Sequence, residues 1–250
     1  MSKTLIAGNW KMNLAVSSAE ELATGVEESA AQNSAVEVAV FPSAHLLTTV
    51  EAQLHATALG IQNVYFADEG AFTGEIAAAQ AAELVSYAIV GHSERRQMFS
   101  ETDEMLARKM AACIRNGLTP ILCVGETQHE REELETTQVL NDQLSTGLTM
   151  LTAEDVAQSV VAYEPVWAIG TGHNAKPEDV DAAIATIRHN IGESFGARAA
   201  ESVRVLYGGS VDHESVGSYL DIDRVDGLLV GGASLDISQF SAIIERANSG

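Results

Sequence analysis

Short apolar runs recur along the chain, with amphipathic segments between them. The runs occupy Thr4–Asn9, Val36–Phe41, Ala58–Gln62, Tyr87–Gly91, Thr119–Gly125, Ser159–Glu164, Val203–Gly208 and Gly227–Gly231. They start about 30 residues apart, the length of one strand–helix–strand unit. Stretches such as Val38-Ala39-Val40-Phe41 and Ile121-Leu122-Cys123-Val124 are almost continuously apolar. That pattern suits strands buried on both faces, as in a parallel sheet, better than half-exposed antiparallel strands. Between the runs, Ser17-Ser18-Ala19-Glu20-Glu21 and Thr102-Asp103-Glu104 read as helix starts with hydroxyl caps and early acids. Lys176-Pro177-Glu178-Asp179 places proline in a first helical turn. The acidic stretch from Gln128 to Leu148 reads as one solvated helix.

Eight strands alternating with helices leave two architectures, a closed barrel and an open doubly wound sheet. No Gly-x-Gly-x-x-Gly follows the first strand, and there is no Pro-, Gly- or Ser-rich linker. The expectation is therefore an α/β protein, one (β/α)₈ barrel spanning residues 1–250. One connection is long, Asn63 to Glu75, and carries Tyr65, Phe66 and Phe72. Three aromatics are poorly placed in water, so this loop either folds onto its own barrel or docks into a second subunit.

Composition narrows the partners. Apolar residues make up 46% and charged residues 20%, an ordinary globular balance. Fourteen basic against 35 acidic residues give a net charge of −21. That excludes the basic footprint of a nucleic-acid binder and disfavours anionic membranes. No apolar run approaches the roughly 18 residues of a membrane span. The segment after Lys3 is too short for a signal-peptide core. Two cysteines, Cys113 and Cys123, cannot build a disulfide framework and point to a reducing, cytoplasmic compartment. Screening limits repulsion to roughly 8 Å at physiological salt, so an anionic substrate needs only a local cluster of donors.

In a parallel barrel the chemistry sits at the carboxyl ends of the strands. Those ends deliver Asn9-Trp10-Lys11, Gly91-His92-Ser93-Glu94-Arg95, Glu164, Tyr207-Gly208-Gly209-Ser210 and Gly231-Gly232. Taken singly, Glu164 reads as an ion-pair partner, His92 as a core or capping histidine, Lys11 as a solvated cation, and the glycine pairs as tight turns. Gathered at one mouth they read differently. Main-chain N–H groups of Gly-rich turns cradle an anion without using basic side chains. A carboxylate, an imidazole and an ammonium beside them suit proton abstraction next to a carbonyl. Glu164 is then the base, His92 the electrophile, and Lys11 the stabiliser of enediolate charge. No His-x-x-x-His, His-Glu-x-x-His or Gly-x-Ser-x-Gly occurs, so neither a metal nor a nucleophilic serine is expected.

Five blocks resemble the signature of triosephosphate isomerase, in its order and spacing. They run from Ala7 to Asn13, Val90 to Arg96, Ala162 to Gly172, Tyr207 to Val211 and Leu229 to Leu235. The resemblance spans essentially the whole chain. It implies cofactor-free interconversion of dihydroxyacetone phosphate and glyceraldehyde 3-phosphate. It implies Glu164 as proton shuttle, and His92 as a neutral imidazole polarising the carbonyl. Asn9 and Lys11 would contact substrate, Glu94 would pair with Lys11, and Gly170, Ser210, Gly231 and Gly232 would hold the phosphate. The segment Pro165, Val166, Trp167, Ala168, Ile169, Gly170, Thr171 and Gly172 resembles the family's mobile lid. The long loop, with Phe72, Thr73 and Glu75, resembles its intersubunit loop and implies a homodimer. The chain departs from the family pattern at His173-Asn174-Ala175 after the lid, at Asp212-His213-Glu214-Ser215, and at Asp236. Two other readings compete: a Schiff-base aldolase, which would need a lysine on a later strand, and a catalytically silent barrel.

Overall fold

The computed structural model describes residues 3–169, 174–211 and 215–249. Eight parallel strands pair in chain order and close, with β8 back against β1. They are β1 (Thr4–Asn9), β2 (Val36–Phe41), β3 (Ala58–Ile61), β4 (Tyr87–Val90), β5 (Thr119–Val124), β6 (Val160–Tyr163), β7 (Arg204–Tyr207) and β8 (Gly227–Val230). This is the (β/α)₈ barrel that the run spacing predicts. β1 and β2 match their apolar runs to the residue. The other six strands stop one residue earlier, before Gln62, Gly91, Gly125, Glu164, Gly208 and Gly231. Two of those residues still continue the ladder by one bond, Glu164 N–H donating to Val124 and Gly208 N–H to Tyr163, both at 2.8 Å.

The strands are largely apolar because both faces are buried, and period-two alternation sorts their side chains between two cores. Leu5, Ala7, Ala39, Phe41, Ile89, Ile121, Cys123, Val160, Ala162, Leu206 and Leu229 fill the barrel interior. Ile6, Val38, Val40, Val90, Leu122, Val161, Val205 and Val230 face outward against the helices. The longer covering helices are Val16–Gln32, Asp103–Arg115, Thr136–Gly147, Pro177–Phe195 and Ile237–Asn248.

Several local expectations are refined. The first helix begins at Val16, and Ser18 Oγ accepts the Ala15 N–H at 3.0 Å from inside the first turn. Thr102 caps as expected, and Asp236 caps the last helix by accepting from Ser238 and Gln239 N–H. The Ser238 hydroxyl, which also donates to this carboxylate at 2.6 Å, and then the Gln239 N–H hold the Asp236 carboxyl below its usual range. The stretch from Gln128 to Leu148 is not one helix. It splits into Gln128–Glu132 and Thr136–Gly147 around Leu134, which is left-handed at φ 63° and 90% exposed. The second piece also buries Leu140 and Leu144, so it is not a purely solvated face.

The long loop packs partly on itself. Tyr65 stacks on Phe66 at 4.0 Å and meets Phe72 at 4.5 Å, and Arg108 lies over Phe66. Arg115 clamps Asp68 through two nitrogens. Its tip, from residue 68 to residue 75, is exposed throughout.

At the amino-terminal end of the barrel, Glu37 of β2, Tyr87 of β4 and Arg204 of β7 meet across the interior. Arg204 donates to Glu37 at 2.6 Å and to the Tyr87 hydroxyl at 2.7 Å, and Tyr87 donates in turn to Glu37.

Candidate active site

Extending the interior alternation one step beyond the last apolar layer reaches Asn9, Ser43, Gln62, Gly91, Gly125, Glu164, Gly208 and Gly231. This layer holds no apolar side chain, and half of it is glycine. The glycines are required by close approach. A Cβ on Gly125 would stand 1.8 Å from the Glu164 carbonyl oxygen, and one on Gly208 3.0 Å from Glu164 Cγ. A hollow of about 360 Å³ lies at the mouth, lined by Asn9, Lys11, His92, Glu164, Gly208, Ser210 and Gly231 among others.

Glu164 follows β6 with its side chain turned inward and is 1% exposed. Its Oε2 accepts the Ser93 N–H at 2.9 Å. Its Oε1 lies 3.1 Å from His92 Nε2, yet off the line of a hydrogen bond, and ends without a partner among the described residues. A buried carboxylate oxygen with unused acceptor capacity is costly to hold and is ready to take a proton.

His92 sits where β4 gives way to the helix Ser93–Phe99, directly after Gly91. Gly91 has φ 73°, a conformation open to glycine. The imidazole caps that helix, with Nδ1 accepting the Glu94 N–H at 3.2 Å. An accepting Nδ1 carries no proton, so this hydrogen bond assigns the neutral tautomer with its hydrogen on Nε2, facing Glu164.

Lys11 takes a left-handed backbone at φ 52°. Its strained peptide is secured on both sides. Asn9 Oδ1 accepts its N–H at 3.0 Å, while Ser43 Oγ and Gln62 Nε2 donate to its carbonyl at 3.0 and 2.8 Å. The ammonium pairs with Glu94 Oε1 at 2.6 Å, and its stem runs beside Gly231. Sequence reasoning missed Ser43 and Gln62. Their one signal is the period-two position that they share with Asn9 and Glu164.

The cavity wall continues through two glycine turns. Gly209 and Ser210 follow β7, and Gly231 leads a 3₁₀ turn, Gly232–Leu235, after β8. The first N–H groups of such a turn have no acceptor within it, which suits an anion. Cys123 is buried beneath the site. Burial first, then the Glu164 carboxylate, pushes its thiol well above the ordinary value, so it remains a neutral wall.

Pro165 leads a 3₁₀ turn, Val166–Ala168, and Ile169 reaches the cavity. Trp167 Nε1 donates to the fully buried Glu126 at 2.8 Å, and Arg131 stacks on its ring. Tyr163 also donates to Glu126. Sequence reasoning did not find Glu126, which lies 41 residues from Trp167. Gly170, Thr171, Gly172 and His173, like Asp212-His213-Glu214, lie outside the described residues. Phe72, Thr73 and Glu75 lie at the exposed loop tip and do not line this chain's cavity.

The arrangement can remove a proton from carbon, hydrogen-bond the adjoining oxygen, and hold a phosphate nearby. Residues 4–247 match the family model described as triosephosphate isomerase. With its closed parallel barrel and a match over nearly its whole length, the chain belongs to the triosephosphate isomerase family.

Proposed function

We propose that Glu164, His92, Lys11 and Asn9 carry out this family's isomerisation of triose phosphates within the hollow at the barrel mouth. The observation that carries the reading is the 3.1 Å approach of an unpartnered Glu164 oxygen to a neutral His92 Nε2–H beside Lys11 and the glycine turns. Glu164 takes a proton from the carbon next to the carbonyl. The released electron pair moves onto the carbonyl oxygen, which accepts a hydrogen bond from His92. The proton of the adjoining hydroxyl passes to the former carbonyl oxygen by way of the imidazole, and protonated Glu164 returns its own proton to the former carbonyl carbon, which turns ketose into aldose. Lys11 and Asn9 stabilise the enediolate oxygens. Main-chain groups of Gly170, Ser210, Gly231 and Gly232 hold the phosphate.

The segment from Pro165 to Gly172 acts as a lid. Closure protects the intermediate, because an enediolate left in water collapses to an aldehyde, shifts its double bond toward the phosphate carbon and expels phosphate. Trp167, tied to Glu126, is the anchor of its leading end. A homodimer fits the exposed loop tip bearing Thr73, together with exposed Met12 (93%) after β1 and exposed Met98 and Phe99 at the end of the helix Ser93–Phe99. Both cysteines are buried and free, which agrees with a reducing cytoplasm. Among the described residues no helix is long and apolar enough to cross a membrane.

A coupled assay on glyceraldehyde 3-phosphate tests the reading. It predicts isomerase turnover that a phosphoglycolate-type anion inhibits competitively. Turnover indifferent to that anion would refute the assigned phosphate cradle. Deleting residues 66–75 is expected to give monomers of little activity by gel filtration and the same assay. A fully active dimer would overturn the role of the loop.

A further inference from the structure

We infer that Tyr219 is a positioning residue of the reaction, pinning the exit end of the lid segment to the wall that carries the phosphate turn. This rests on the lid reading given above. Tyr219 lies on the short helix Val216–Leu220 and is 2% exposed. Its hydroxyl donates to the Ala175 carbonyl at 2.8 Å, 44 residues away in the chain. Its ring stacks on Tyr207, with centroids 4.2 Å apart and planes 29° apart. Tyr207 ends β7, immediately before Gly208-Gly209-Ser210. That turn presses on the Tyr207 hydroxyl so closely that a Cβ on Gly209 would stand 2.2 Å from the oxygen. One phenol therefore touches both halves of the site, the end of the lid through its oxygen and the base of the phosphate turn through its ring.

Ala175 is the buried residue between exposed Asn174 and exposed Lys176, and Pro177 starts a rigid helix just beyond. Its carbonyl would be a buried acceptor without Tyr219, at a cost that favours a displaced backbone. With the bond in place, the residue that follows the lid segment is already held to the phosphate wall before closure. Without it, closure must also order that end, and the closed state is reached less often and held less well. Tyr219 thus secures a junction whose preceding residues, His173-Asn174, depart from the family pattern.

The test is Tyr219→Phe, which keeps the ring and the stacking and removes the hydroxyl, with its bond to Ala175 and its contact with the Tyr207 hydroxyl. Three quantities are measured on the intact enzyme: kcat/KM, the inorganic phosphate released per isomerisation, and the thermal midpoint. The expected result is a fall in kcat/KM of about 2- to 12-fold, the worth of one neutral hydrogen bond. The phosphate share should rise by a similar factor, with the fully folded state retained at assay temperature. A variant matching the parent in both kinetic measures overturns the inference. So does a slower variant with an unchanged phosphate share, since that is the mark of a merely structural contact. Emission of Trp167 on adding phosphoglycolate to the parent separates the underlying reading. A ligand-linked change with kinetically silent Tyr219→Phe rejects Tyr219 alone. No change in the parent rejects the lid, and Tyr219 with it.

Discussion

Both ends of the barrel carry charged side chains pointing inward, and the two sets are built on opposite terms. At the amino-terminal end, Glu37, Tyr87 and Arg204 satisfy one another in a closed triangle. At the carboxyl-terminal end, Glu164 keeps an oxygen without a partner among the described residues, and His92 and the glycine turns line a cavity beside it. The same strands and the same alternation deliver both sets. What distinguishes them is residual bonding capacity. A saturated cluster has nothing left to offer a ligand and contributes to stability, whereas an unsaturated one carries a folding cost and can do chemistry.

The largest effect that would sharpen this contrast is at Glu164. Glu164→Gln removes the base and is expected to lower kcat by about 10²–10⁴ in the coupled assay. The thermal midpoint should stay level or rise, because an uncompensated carboxylate has gone. Glu164→Asp keeps the charge but retracts it by about 1 Å, and geometry alone is expected to cost on the order of 10². Near-parental turnover in both variants would remove Glu164 from its role.

At the other end the consequence reverses. Arg204→Met leaves Glu37 and the Tyr87 hydroxyl without their shared donor inside the barrel. A loss of about 1–3 kcal/mol in urea unfolding is expected, with kcat/KM of the folded enzyme close to the parent. The side chains are partly exposed, which keeps the loss below that of a fully buried pair. A catalytic defect without loss of stability would break the comparison.

The two ends also differ in how they could be read from the chain. The barrel was legible because strands buried on both faces leave continuous apolar runs at regular spacing. The six strand ends placed one residue too far show the limit. Gly125 and Gly208 prolong an apolar run, and nothing local signals that the strand stops before them. Asn9, Lys11, His92 and Glu164 stood out because polar residues at the ends of such runs are conspicuous and because each lies in a recognisable block. Glu37, Tyr87 and Arg204 carry no such mark. They stand first or second in their strands, lie 50 and 117 residues apart, and become a cluster through barrel closure alone. Gln62 and Ser43 were hidden for the same reason, since their partner is a main-chain carbonyl that no side-chain motif announces. Leu134 was hidden because a left-handed leucine among acids gives no sequence signal for a helix break.

The smallest effect is a matter of pH and belongs to Tyr87. Burial first, and then its hydrogen bond to Glu37, raise the Tyr87 phenol from an ordinary 10.0 to about 12, with Arg204 pulling part of the way back. In the folded protein Tyr87 keeps its proton to about 12, while in the unfolded chain it begins to lose it near 10. Between those values the unfolded state binds fewer protons than the folded one, so stability falls as pH rises. The contribution is complete below 10 and gone above about 12. Tyr87→Phe gives up the hydrogen bonds at neutral pH but has no phenol to titrate. Its urea midpoint should therefore start lower and decline less steeply across that window. Burial raises the phenols of Tyr163 and Tyr207 as well, so the decline is reduced rather than abolished. Equal slopes for parent and variant would mean that the triangle does not hold the Tyr87 proton.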